Sequence, residues 1–84
     1  MDKQDLPKRR SGIPFLRAWR LYRLLSQREL AQRAKVGEVT IIRIEQGEQA
    51  NELTLYKLAR GLGITAHQLL QEEPPEETTI DIAA

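Results

Sequence analysis

Apolar residues recur three or four positions apart in five separate stretches, each bounded by residues that start or stop helices. Pro14 suits the opening of a first helix, where its missing N–H costs nothing, and Leu16 and Trp19 then point inward on the face shared with Arg20 and Arg23. Ser26, with Glu29 three residues on, forms a capping box for a second helix whose inner stripe is Leu30, Ala31 and Ala34. A third helix is expected from Glu38 to Gln46, ended by Gly47, with Ile41 and Ile44 inward. Leu55, Leu58, Ala59 and Leu62 define a fourth helix stopped by Gly63, and Thr65 caps a short fifth containing Leu69 and Leu70. No stretch alternates strongly enough for a core strand; "TTIDI" at 78–82 is the weak exception. The pattern predicts an all-α, compact five-helix domain.

The ends of the chain lack this periodicity. Residues 1–12 carry Pro7, Gly12 and the basic run Lys8 to Arg10, and read as a flexible basic arm. Residues 13–71 form the expected domain, and 72–84 an acidic, proline-broken tail expected to be disordered. Charge follows the same division. Met1 to Lys35 holds ten Lys/Arg against three Asp/Glu, Val36 to Gln71 three against four, and Glu72 to Ala84 none against five. The net charge of +1 therefore hides a basic front half suited to a polyanion.

Composition narrows the chemistry. With no cysteine there are no disulfides or thiolate metal sites, which fits a reducing cytoplasm. No apolar run reaches the length of a membrane span and no export leader is evident, so a cytoplasmic location without membrane contact is expected. His67 is the sole histidine and has no second ligand beside it, so packing or solvent exposure is its expected role. No phosphate-cradling glycine loop and no Ser/His/Asp arrangement is present, and we expect neither an enzyme nor a cofactor.

The second and third helices are joined by only Lys35, Val36 and Gly37, so they must cross steeply and present the third helix outward. With Ile41 and Ile44 inward, the opposite face carries Glu38, Val39, Ile42, Arg43 and Gln46 as one stripe. Arg43 can donate twice to guanine, Glu38 can accept from a cytosine amine, and Val39 and Ile42 can meet a thymine methyl. Glu38 also suits the positive N-terminus of its own helix, and this reading weighs equally. Gln27 lies in the first turn of the second helix, where free N–H groups can hold a phosphate.

Three segments carry a resemblance: "LRAWRLYRLLSQRELAQRA", "TIIRIEQG" and "TLYKLARGLGITAHQLL". Together, over roughly Pro14 to Leu70, the chain resembles the Cro and lambda-repressor-like, or XRE-type, helix-turn-helix family. The resemblance implies a transcriptional regulator of double-stranded DNA, a repressor acting as a homodimer on a near-palindromic operator, with its third helix in the major groove. It implies base contacts at Glu38, Val39 and Arg43 with Ile42 beside them, and backbone phosphate contacts at Gln27, Lys35, Gly37, Gln46, Gln49 and Asn51. Arg20 and Glu45 match an ion pair that fixes the third helix, and Gln27 a residue that braces it. Arg17, Arg28, Arg33 and the Lys8–Arg10 arm are further candidates for phosphate. Dimerisation is expected through the fourth-to-fifth helix region, with Ile64, Leu69 and Leu70 supplying apolar surface, or less favourably through strand pairing of "TTIDI". An alternative role is an antitoxin-like protein-interaction module that also binds DNA, its partner held by the acidic tail with Ile80 and Ile82.

The chain departs from the family at its corners. Lys35 and Leu24 stand where glycine is usual, so Lys35 is expected at positive φ at a cost of roughly 1 kcal/mol. Gly37 replaces the usual Ser or Thr cap, and Asn51 a common proline, which is expected to loosen its loop.

Overall fold

In the computed structural model residues 12–75 are described, and they hold five helices: α1 (Leu16–Tyr22), α2 (Gln27–Ala34), α3 (Glu38–Glu45), α4 (Glu52–Leu62) and α5 (Ala66–Gln71). Among these residues there is no strand. The arm at Lys8–Arg10, the "TTIDI" stretch and most of the acidic tail lie outside the described residues.

Local chemistry accounts for the helix starts. Ser26 Oγ accepts from the Glu29 N–H at 2.9 Å while Glu29 Oε1 accepts from the Ser26 N–H at 2.8 Å, completing the expected capping box. Hydrogen bonds from the Ser26 backbone and hydroxyl also hold the exposed Glu29 carboxyl below its ordinary pKa. Thr65 and Gln68 form a second box at α5. The first helix starts later than expected, because Pro14 and Phe15 form a turn in which the Leu16 N–H reaches the Ile13 carbonyl at 3.1 Å. Such a tight opening turn is common at helix N-termini.

The four corners between helices share one closure. The N–H groups of Leu25, Val36, Glu48 and Ile64 each reach back five residues, to the carbonyls of Arg20, Ala31, Arg43 and Ala59, at 3.0–3.1 Å. In every case the residue just before the donor has positive φ: Leu24 and Lys35 at 61°, Gly47 at 109° and Gly63 at 75°. This is the helix-terminating geometry that favours glycine. Lys35 thus takes the left-handed conformation expected of it, and Leu24 does the same with 89% of its surface exposed. An L-residue there costs about 1–2 kcal/mol, offset by glycine's extra freedom in the unfolded chain of about 0.4–1 kcal/mol. Lys35→Gly should therefore stabilise the fold by about 0.5–1 kcal/mol. A lower urea midpoint for this variant would contradict that account.

Leu16, Trp19, Leu30, Ala31, Ala34, Ile41, Ile44, Leu58, Ala59, Leu62 and Leu69 are all buried and meet in one core. The expected inward faces of α1, α2 and α3 are the observed ones; on α4, Leu55 lies only partly buried at the rim. Helix α2 packs on both α4 and α3. Small residues permit the first crossing: a Cβ added at Gly61 would stand 3.0 Å from Ala34 Cβ and 3.1 Å from its Cα and N. Both ends of the domain are tied in. A Cβ at Gly12 would strike the carbonyls of Ile44 and Glu48 at 2.9 Å, and the Trp19 indole N–H donates to the Glu72 carbonyl at 2.8 Å. Packing thus extends one residue beyond each boundary expected from periodicity.

Candidate nucleic-acid interface

Helix α3 holds its outward stripe at a fixed angle because its inner face and its last residue are both anchored. Ile41 and Ile44 lie in the core. Glu45, at the C-terminal end, meets Arg20 of α1 in a two-pronged ion pair: Arg20 Nε to Oε2 at 2.7 Å and Nη2 to Oε1 at 3.1 Å. Both side chains are more than nine-tenths buried. The third arm of Arg20, Nη1, donates to the Leu25 carbonyl at 2.9 Å, so the guanidinium also pins the α1–α2 corner. Gln27 Nε2 donates to Glu45 Oε1 at 3.0 Å, which ties α2 to the same carboxylate. One buried carboxylate therefore fixes three helices in relative position.

The opposite face of α3 is open. Glu38, Arg43 and Gln46 are exposed, Val39 has 57% of its surface in solvent, and Ile42 is half-buried at the edge of the stripe. Gly37 has β-region backbone at the N-cap, and no side chain caps the helix. Its carbonyl accepts from the Thr40 and Ile41 N–H groups, so the intrahelical ladder begins at Thr40. The N–H groups of Glu38 and Val39 precede that ladder at the positive end of the helix dipole. A side chain at 37 would not have clashed: a Cβ there meets only Thr40 Oγ1, at 3.6 Å.

The other expected contacts differ in what the fold leaves them free to do. One Nε2 hydrogen of Gln27 is committed to Glu45, and a second remains for a phosphate oxygen. Arg17, Arg28, Gln46, Gln49 and Asn51 are all exposed. Asn51, read from the sequence only as a phosphate contact in a loosened loop, is the N-cap of α4, its Oδ1 accepting from the Thr54 N–H at 2.8 Å. Its amide nitrogen is left for phosphate. Lys35 lines a cleft with Arg33, Lys57 and Arg60. His67 is exposed, and no group of three acidic, His or Cys side chains that could hold a metal occurs among the described residues.

Two features escaped the sequence reading. Arg23, assigned there only to the inner face of α1, is an exposed cation stacked over Trp19 and Tyr22, 5.9 and 5.3 Å from the ring centroids, with Nε donating to the Leu62 carbonyl at 2.8 Å. No local pattern signals a contact between residues 39 apart. Of Ile64, Leu69 and Leu70, among which the sequence left the interfacial ones open, Leu69 is fully buried in the core. The exposed apolar side chains of α4 are Leu53 and Tyr56.

Residues 16–69 match the model of the Helix-turn-helix family. No curated protein matches the chain. A solved structure that resembles it is described as a hypothetical transcription factor, NHTF, from Neisseria. The two are 23% identical, with 95% of this chain and 99% of that one covered and a TM-score of 0.63. No helix of the described residues is long and apolar enough to cross a membrane. The family match takes in all five helices almost to their ends, with the α2–α3 corner and the outward α3 at its centre, and the chain belongs to the XRE-type helix-turn-helix family of DNA-binding transcriptional regulators.

Proposed function

We propose that the protein reads a specific DNA sequence by placing α3 in the major groove, and that it acts as a repressor, as a dimer, on a near-palindromic operator. The observation that carries this reading is the rigid seat of α3. Glu45 is bound by Arg20 and Gln27 on the inner side, while Glu38, Val39 and Arg43 face outward without burial. A side-chain stripe held that firmly can discriminate bases, because misplacing a donor by an ångström forfeits its hydrogen bond.

Arg43 is the base-reading cation, paired with guanine O6 and N7, and Glu38 discriminates by accepting from a cytosine amine. Val39, with Ile42 at its flank, meets thymine methyl groups. Gln27, the α3 N-terminus at Gly37, Gln46, Gln49 and the Asn51 amide hold phosphates on either side of the groove. Such contacts work by binding, and nothing in the reading requires catalysis. For the dimer, the exposed Leu53 and Tyr56 of α4 and the half-buried Ile64 and Leu70 supply the apolar surface. Half-sites about 10 bp apart follow from a two-fold pair of such helices.

On a bound duplex, Arg43→Ala should cost about 1–3 kcal/mol and relax one base position. Gln27→Ala should weaken every sequence alike. Fluorescence anisotropy on duplexes substituted one base pair at a time measures both. Equal losses at all positions for Arg43→Ala would remove it from the base-reading set.

A further inference from the structure

The α2–α4 crossing opens a second positively charged surface beside the recognition corner. Arg33 and Lys35 at the end of α2 face Lys57 and Arg60 of α4 across a cleft of about 270 Å³, floored by Ala34. Arg33 and Arg60 also line an adjoining, more open cleft of about 600 Å³ that continues past Gly61 to Arg23. No carboxylate lines either cleft. The nearest acid on α2, Glu29, lies one turn back from Arg33 and is committed to the Ser26 cap.

Two details point to a ligand. Like charges gathered around one cleft repel one another, and the fold gains nothing from gathering them. Lys35, moreover, holds a cation at φ 61°, where glycine would be unstrained. The exposed Leu24 takes the same φ, so the corner itself sets that backbone; what bears on a ligand is that the corner here brings a fourth cation to the cleft. Ala34 and Gly61, which line the two adjoining clefts and lie against each other, add no more than one methyl group of side-chain bulk there.

We infer that this cleft is a binding site for linked phosphate groups, with Arg33, Lys35, Lys57 and Arg60 as its ligands. A cleft of about 270 Å³ lined by four cations suits the several charges of a diphosphate better than a single phosphate. Linked phosphates come from two sources: a free polyphosphorylated molecule, or the backbone of a nucleic-acid strand running past α4. The inference does not depend on base reading by α3.

The test is amide NMR on the full chain titrated with pyrophosphate, against sulfate at matched ionic strength and against a short arbitrary-sequence duplex. Pyrophosphate should shift the amides of Lys35, Lys57 and Arg60 and saturate, and Lys57→Gln/Arg60→Gln should weaken half-saturation about tenfold. Lys35→Gly, expected to fold at least as stably as the parent, should weaken it too. Saturation by pyrophosphate that persists with duplex bound assigns the site to a free ligand. Cleft shifts with duplex but not with pyrophosphate assign it to the DNA backbone. Identical shifts with sulfate, or no cleft shift with either phosphate source, would overturn the proposal. So would cleft shifts produced only by Glu76→Gln/Glu77→Gln/Asp81→Asn, which would give the cleft to the chain's own acidic segment. Loss of base reading in Arg43→Ala with the cleft titration unchanged separates this site from the operator-reading surface.

Discussion

Glu45→Leu should destabilise the fold by about 3–5 kcal/mol, because it leaves the Arg20 guanidinium buried without its counter-charge. The substitution also strips Gln27 of its acceptor, so the α2–α3 angle loses its brace along with its charge balance. Arg20→Met should cost a similar amount, since it strands the Glu45 carboxylate and leaves the Leu25 carbonyl without its donor. The double variant Arg20→Met/Glu45→Leu should be more stable than either single one. Two apolar side chains can fill the site, and the remaining loss is confined to the Gln27 amide and the Leu25 carbonyl. Urea midpoints of the three variants measure the coupling. Additive losses would show that Arg20 and Glu45 stabilise the fold independently and would remove the ion pair from its role as the anchor of α3.

Two leucines on α4 provide the second large effect. Leu58 is fully buried, and Leu58→Ala should cost about 2–5 kcal/mol from lost transfer energy and the cavity left behind. Leu53, five residues earlier, is 63% exposed, and Leu53→Ala should change stability by no more than about 0.5 kcal/mol. The comparison holds residue type and helix constant and varies only the face. Equal losses at the two sites would contradict the packing of α4 on α2. A loss at Leu53 that grows with protein concentration would locate that side chain in the dimer surface.

Most of the fold was legible because its signals are local. Ser26–Glu29, Thr65 and Gly63 mark helix ends through bonds or backbone angles that span a few residues. Leu30, Ile41 and Leu58 mark inward faces through a period any window reveals. Lys35 was legible through the family resemblance, because it stands at a corner where glycine is usual, and it takes the left-handed backbone expected there. The Arg20–Glu45 pair spans 25 residues and was accessible only through family resemblance, which carries tertiary information that spacing does not. Contacts with neither source stayed hidden. The Trp19 bond to Glu72, the stacking of Arg23, the Gly61–Ala34 approach and the gathering of Lys35 with Lys57 and Arg60 all depend on how helices cross. Which of Ile64, Leu69 and Leu70 face a partner was left open by the sequence for the same reason: α5 is too short to display a face, and its packing on α4 buries Leu69.

Selection of bound duplexes from a random-sequence pool tests the central claim most directly. At moderate salt the full chain should enrich one motif with two related half-sites about 10 bp apart, and affinity for it should fall steeply as salt rises. Repeating the selection with Arg43→Ala should blur one position in each half-site and leave the spacing unchanged. Recovery of DNA with no common motif, at salt low enough for binding, would contradict the assignment of α3 as a base-reading helix.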